Sequence, residues 1–329
     1  MRWGEKAGNS VAARRHHYVP KCYLNSFAVE NPVKKKPDML VFDAVEKRCF
    51  RTSPDNVALE KDFNTIDLEG HELDAFENAI ASVESDIGPA LQRIIANESL
   101  EEENDKTLLL NLIGLLHIRN PRFREIKRSL HDRIQKAVLG LALSSKEMWD
   151  SQARQAKAAG AIPADADTDY ETIKKLYKPE DLKAVIPNEV QIVEEMDQFD
   201  HALPLLFDRN WVLVKSPENC PGFVTCDHPV SLTWSEPQPV RRSLGLKTKG
   251  TEILFPVSPK LAVVGAYELE EGKMDFTAEQ VASANGTTIL NAQRQVYSKG
   301  HDFTYQIDQQ KGPKVGTNLI LDEQFEGNP

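Results

Sequence analysis

No window of the chain approaches eighteen consecutive apolar residues, so no segment has the length and apolarity of a membrane-spanning helix. The first thirteen residues lack the apolar run of a secretory signal and are expected to form a flexible lead-in. Cysteine is scarce. Cys22, Cys49, Cys220 and Cys226 are the whole complement in 329 residues, and no two make a Cys-x-x-Cys pair. That excludes a disulfide-stapled scaffold and a zinc site built on cysteine alone, and it points to reduced thiols in a cytoplasmic protein. Signature loops are missing as well. There is no Walker phosphate loop, no Gly-x-Gly-x-x-Gly, no Gly-x-Ser-x-Gly elbow, no His-Glu-x-x-His and no EF-hand. P-loop nucleotide hydrolysis, dinucleotide-dependent dehydrogenation and zincin proteolysis are therefore disfavoured. Cys22 stands close to His16 and His17 in sequence, but nothing beside it supplies an oxyanion hole or a lowered thiol pKa, which disfavours a cysteine protease.

What is present is an ordinary globular balance, 40% hydrophobic and 27% charged, in a chain long enough to bury a core without staples. Net charge is −10, which disfavours a protein that coats nucleic acid over its whole surface. The charge is uneven. Arg119, Arg122, Arg124, Lys127, Arg128, Arg133 and Lys136 face only Glu125 and Asp132 in their stretch, and Arg241, Arg242, Lys247 and Lys249 make a second basic cluster. Leu68 to Asp105 is strongly acidic. A local basic groove for nucleic acid or nucleotide stays open; a membrane partner is not expected, and a protein partner is not specified.

Pro20 places His16 and His17 on an extended lead-in and permits a short helix after it, with Tyr23, Leu24 and Phe27 on one face. Met39 to Thr52 reads as a hairpin. Leu73, Phe76, Ile80, Val83, Ile87, Leu91 and Ile94 keep helical spacing over Glu72–Ala96. Asp105–Arg119 is a helix apolar on most sides, as expected in the middle of a bundle. Asn120-Pro121 opens a third helix, carried by Phe123, Ile126, Leu130, Ile134, Ala137 and Leu141. Ser151–Asp169 is expected to be an excursion or hinge, and Pro187–Phe207 a further helix. After Asn210 come strands, then a helix over Thr277–Gln293 and a last strand at Gln295–Ser298. Grouped helices and grouped strands predict an α+β fold: an N-terminal and central helical bundle packed with a C-terminal, mainly antiparallel sheet. The expected organisation is one domain over 14–310, with a helical lobe near 70–207, a β-rich lobe near 208–305 and a tail at 311–329.

The run His16-His17-Tyr18-Val19-Pro20, followed by Tyr23-Leu24 and Phe27-Ala28, resembles the opening of a bacterial domain-of-unknown-function family. Later landmarks are similar too. They are Glu77 and Glu84 seven apart on a helix, Arg119-Asn120-Pro121-Arg122, Phe223-Val224-Thr225-Cys226-Asp227-His228-Pro229-Val230, Phe255-Pro256-Val257-Ser258-Pro259, and the helix from Asn285 to Arg294. Cys226 and His228 stand where the family has small residues. The resemblance spans roughly residues 14 to 300 and implies no activity.

Glu84 falls about 20° from Leu73 and Leu91 on its helix, and Glu77 about 40° from Leu73. Carboxylates beside an apolar stripe need a cation, a metal or donors. They are candidates for a general base or, with Asp227, for holding a divalent metal; the alternative is pairing with Arg119 or Arg122. His16 and His17 point to opposite sides of an extended chain, so one faces a site and the other makes a structural hydrogen bond. Asp227, at a strand end before Pro229, suits either a site or an Asx turn. Arg119, Arg122 and Arg294 are candidates to clamp a phosphate or carboxylate. Together His16, His17, Glu77, Glu84, Asp227 and an arginine describe a metal-assisted phosphodiester hydrolase, a nuclease or nucleotide hydrolase of cellular defence. The alternative is a non-catalytic protein- or RNA-binding module whose polar residues form a structural network.

Overall fold

A computed structural model describes residues 15–31, 36–183, 185–236, 243–308 and 310–327. The expected lead-in at 1–13, and Arg241 and Arg242 of the second basic cluster, lie outside the described residues. In chain order the strands are β1 (Arg15–His17), β2 (Val29–Asn31), β3 (Lys36–Asp43), β4 (Arg48–Thr52), β5 (Leu59–Lys61), β6 (Asn210–Lys215), β7 (Thr225–Cys226), β8 (Ser231–Trp234), β9 (Thr251–Pro256), β10 (Leu261–Ala266), β11 (Gly272–Asp275), β12 (Gln295–Ser298), β13 (Thr304–Tyr305) and β14 (Lys314–Val315). The helices are α1 (Lys21–Leu24), α2 (Ala75–Asn97), α3 (Glu103–Ile118), α4 (Pro121–Ala142), α5 (Lys146–Ala158), α6 (Tyr170–Leu176), α7 (Asn188–Phe207) and α8 (Ala278–Asn291). The fold is α+β. Its strand pairs are antiparallel apart from β11 with β6. No described helix is long and apolar enough to cross a membrane. All four cysteines are free thiols.

The chain forms two compact units. Arg122–Pro187 make one, and the described residues on either side of that span make the other. The helices expected as one lobe are thus divided, and the reason is in their faces. α3 buries Leu109, Leu110, Leu112, Ile113 and Leu116 in one core with Ile87 and Leu91 of α2 and Leu206 of α7. In the Arg122–Pro187 unit, Ile126, Leu130, Ile134, Val138 and Leu141 of α4 recur at helical spacing yet are each more than half exposed. Tyr170 and Tyr177 tie that unit together by donating to the carbonyls of Leu143 and Lys136, each at 3.1 Å. The stretch expected as an excursion begins inside α5, which Ser145 caps by accepting from the Met148 amide at 3.2 Å.

In the larger unit a five-stranded sheet is ordered β11-β6-β10-β9-β8, its inner strands meeting apolar clusters on both faces. Side chains alternate along each strand. Trp211, Leu213, Ile253, Phe255 and Val263 join the helical core, while Val212, Val214, Leu254 and Ala262 meet Val281 and Ala284 of α8. A second sheet runs β2-β3-β12-β7, with β4 on β3, so the N-terminal hairpin is completed by a strand from the other end of the chain. The segment expected as a tail is part of this fold. Leu319 and Phe325 are buried with Phe42 and Phe303, and Tyr305 donates to Asp322 at 2.8 Å.

α8 clasps these pieces through two adjacent residues. The fully buried Asn285 accepts from the Val224 amide at 2.9 Å and donates to the Gly222 and Thr304 carbonyls at 3.0 and 2.8 Å. At Gly286 a Cβ would lie 2.0 Å from the Gln306 carbonyl oxygen, so the backbone there approaches too closely for any side chain. Helix propensity alone favours Gly286→Ala by about 1 kcal/mol. We expect the opposite, a loss of roughly 2–4 kcal/mol, because backbone must move. Denaturant midpoints decide it, and an unchanged midpoint would show that α8 shifts freely.

Candidate functional site

The opening motif builds the site. Pro20 ends the extended segment and precedes α1, leaving β1 to pair with β5, His16 opposite Glu60 and His17 opposite Leu59. The two histidines face opposite ways, as the extended backbone requires. His16 is buried, and its Nδ1 accepts the Asn64 amide at 2.8 Å. The proton of the neutral ring is therefore on Nε2. His17 is half-buried. Burial, and after it the Lys21 ammonium, push its imidazole down to about 4, so it is neutral at pH 7 and a weak base.

Asn64 is the hub. Besides its bond to His16, its side chain donates to Glu77 Oε2 at 2.5 Å and accepts from Arg119 Nη2 at 2.8 Å. One buried amide thus joins β1, α2 and the end of α3. The Arg119 guanidinium also lies 5.4 Å from the Phe76 ring centroid. Glu84 stands two turns beyond Glu77 and makes no hydrogen bond with any described residue. Burial pushes its carboxyl up to about 7. Arg119 and Lys21 pull it back and Glu77 adds to the rise. One further turn along α2, Gly88 meets Cys22, and there a cavity of about 340 Å³ opens, with Ser258, Lys260 and Lys299 on its wall. The Cys22 thiol is pushed up to about 11 by burial and by Glu84, so it is not a thiolate nucleophile.

Asp227 is held by backbone amides, close enough to Tyr18 of the opening motif to join burial in raising that phenol. Its Oδ1 accepts from the Gln293 amide at 2.8 Å, and its Oδ2 from the amides of Arg294 and Gln295 at 2.8 and 2.9 Å. Burial pushes its carboxyl up to about 6 against these three donors. It anchors the turn from α8 into β12, and no hydrogen bond joins it to His16, His17, Glu77 or Glu84. Nor is Arg294 an open clamp, since its guanidinium is bound to Asp43 and Glu46 at 2.8 and 2.7 Å. Arg122 opens the Arg122–Pro187 unit, outside the unit that carries this network. Among the described residues no group of three or more His, Cys, Asp or Glu side chains is placed to hold a metal ion. Glu77, Glu84 and Asp227 are thus not grouped as the expected trio, and Asp227 instead accepts three backbone amides.

Three participants carried no readable signal or too little. Asn64 is a loop residue among many. Lys21 is one lysine of a basic lead-in. Lys299 follows the last predicted strand, some 210 residues from Glu84. Only their neighbours in space give them a role.

Asp227→Asn would leave two of the three amides bonded and set the new NH2 against the third. We expect a loss of about 1–3 kcal/mol in denaturant unfolding. A variant of unchanged stability would mean that the carboxylate is not the anchor this geometry describes.

No curated protein and no solved structure matches the chain. A family model described as "Protein of unknown function (DUF4238)" matches residues 15–302. That span holds the histidine motif, Asn64, both glutamates, Arg119, Asp227 and Arg294, and the chain belongs to the DUF4238 family.

Proposed function

We propose that the chain is a hydrolase of phosphodiesters, a nuclease or nucleotide hydrolase, with Glu84 exchanging the proton. One observation carries this. Glu84 is a half-buried carboxyl with no hydrogen-bond partner among the described residues, set between two cations and poised near 7. A group that titrates at the working pH serves as acid or base. Ionised, Glu84 takes a proton from an attacking water as the oxygen bonds to phosphorus, and the leaving alkoxide is protonated in turn. Arg119 and Lys21, the latter also paired with Asp55 at 2.6 Å, supply positive charge beside Glu84 for the anion. A divalent ion would have only Glu84 and the second oxygen of Glu77 to hold it, beside substrate oxygens. That falls short of a protein-built metal site.

A specific observation also favours a non-catalytic binding module. The Asn64 and Asp227 networks are saturated, as structural networks are. Glu84→Gln separates the two. The raised folded-state pKa means that Glu84 binds its proton more tightly folded than unfolded. Its contribution to stability is present below about 4.5 and is lost as pH rises to about 7. The glutamine variant should therefore equal or exceed the wild type at pH 8, by on the order of 2 kcal/mol. For a hydrolase it should also cleave bis(p-nitrophenyl) phosphate at least about 100-fold more slowly. A wild type without phosphodiesterase activity, or a fully active variant, removes the proposal. A variant that loses stability at pH 8 shows Glu84 to be a paired structural charge.

A further inference from the structure

The second face of the five-stranded sheet, opposite α2 and α3, is incompletely covered. α8 contributes Val281 and Ala284 to it, but between this helix and strands β6, β9 and β10 remains a cavity of about 260 Å³. Its floor is apolar: Val212, Val214, Leu254, Val264 and Phe276. Gln280, Ser283 and Thr287 of α8 line it as well. On β9 the alternation is strict, with Ile253 and Phe255 in the helical core and Leu254 turned to the cavity. The position two before Leu254 belongs to the same face and calls for another apolar side chain. It is Glu252.

Glu252 is half-buried and makes no hydrogen bond or ion pair with any described residue. Burial alone pushes its carboxyl upward. A carboxylate against an apolar wall costs stability unless a cation or donor meets it. The described residues supply none, although the nearby Glu268 bonds the Gly250 amide at 3.0 Å and Lys106 reaches Glu271 at 2.7 Å. From the apolar cavity and the partnerless carboxylate on its wall, we infer that this site binds a small apolar molecule bearing one ammonium group. The body lies on the valines and Phe276, the ammonium donates to Glu252, and the polar side chains of α8 complete its shell. The volume lies just under the usual range of ligand pockets, about 300–1,000 Å³, which limits the occupant to a small molecule. Glu252 repels an anionic ligand, and as the one charged group of the lining it matches a single positive charge. The site is independent of Glu84 and of the reaction proposed there.

The experiment titrates the full chain at pH 7.5 with n-hexylamine, 1-hexanol and hexanoate, three probes of equal chain length, by calorimetry. The amine should bind about tenfold or more tighter than the alcohol, reflecting a charge-assisted hydrogen bond, and hexanoate should be weakest. Glu252→Gln should bring the amine down to the affinity of the alcohol and leave the alcohol unchanged, which also shows that the variant keeps the cavity. If the variant does not fold, the preference of the wild type for amine over alcohol stands as the test. Equal binding of amine and alcohol, amine binding insensitive to Glu252→Gln, or no binding of the amine would each overturn the assignment.

Discussion

The Tyr23 hydroxyl has no access to water, and everything around it is arranged to satisfy it. It donates to the Pro256 carbonyl at 2.7 Å, and so must accept from Thr225 Oγ1 at 2.6 Å. Its ring stacks on Phe255 at 5.0 Å and meets Phe27 edge-on at 5.5 Å. Losing one partner of a buried hydroxyl costs about 1–3 kcal/mol, so each of these segments is held in register by the others. Three motifs meet at this one oxygen: the opening Tyr-Leu-x-x-Phe and, more than 200 residues later, the Phe-x-Thr strand end and Phe255-Pro256. The three motifs thus form one junction read at three places in the chain.

That junction fixes the start of α1, and with it the residues on either side. His16 is locked by Asn64, Lys21 is set beside Glu84, and Cys22 against Gly88. α2 then brings Glu77 into the Asn64 hub and carries Glu84 past it. The two glutamates share a helix and a face, yet differ in their partners. Glu77 is hydrogen-bonded. Glu84 has nearby charges but no donor, and burial dominates. Environment separates two like side chains into a structural acceptor and a titrating acid.

The helices and strands were legible because they depend on local periodicity. α2, α3, α7 and α8 fall where apolar spacing puts them, within a few residues. The opposite-facing histidines followed from the same rule. What stayed hidden depended on pairing across the chain. Nothing near Gln295 says that it will lie opposite Asp43, and nothing near Asp227 says that three amides will converge on it. A strand-end aspartate is the same signal whether it faces substrate or backbone. The division of the helices was hidden for a related reason. The patterns of α3 and α4 both read as helices, but only α3 is apolar enough all round to be enclosed. Leu319 and Phe325 lacked any period, so the C-terminal segment read as a tail.

Buried polar groups in the larger unit fall into two kinds, and the difference bears on function. Asn64, Asn285, Asp43 and Asp227 each spend their capacity on bonds that hold segments together. Such groups rigidify a fold, and their replacement is read in stability. Glu84 and Glu252 have no hydrogen bond to any described residue, and burial raises both. A fold optimised for stability alone would replace each with an apolar residue. Glu252 lies on the wall of an apolar cavity, while Glu84 has Arg119 and Lys21 nearby. In the function proposed for it, Glu84 works on an anion with a proton to move. In the inference drawn for Glu252, the apolar wall and the carboxylate take a cation. The same physical deficit, an unmatched carboxyl, points to opposite ligand charges because the surroundings differ in sign.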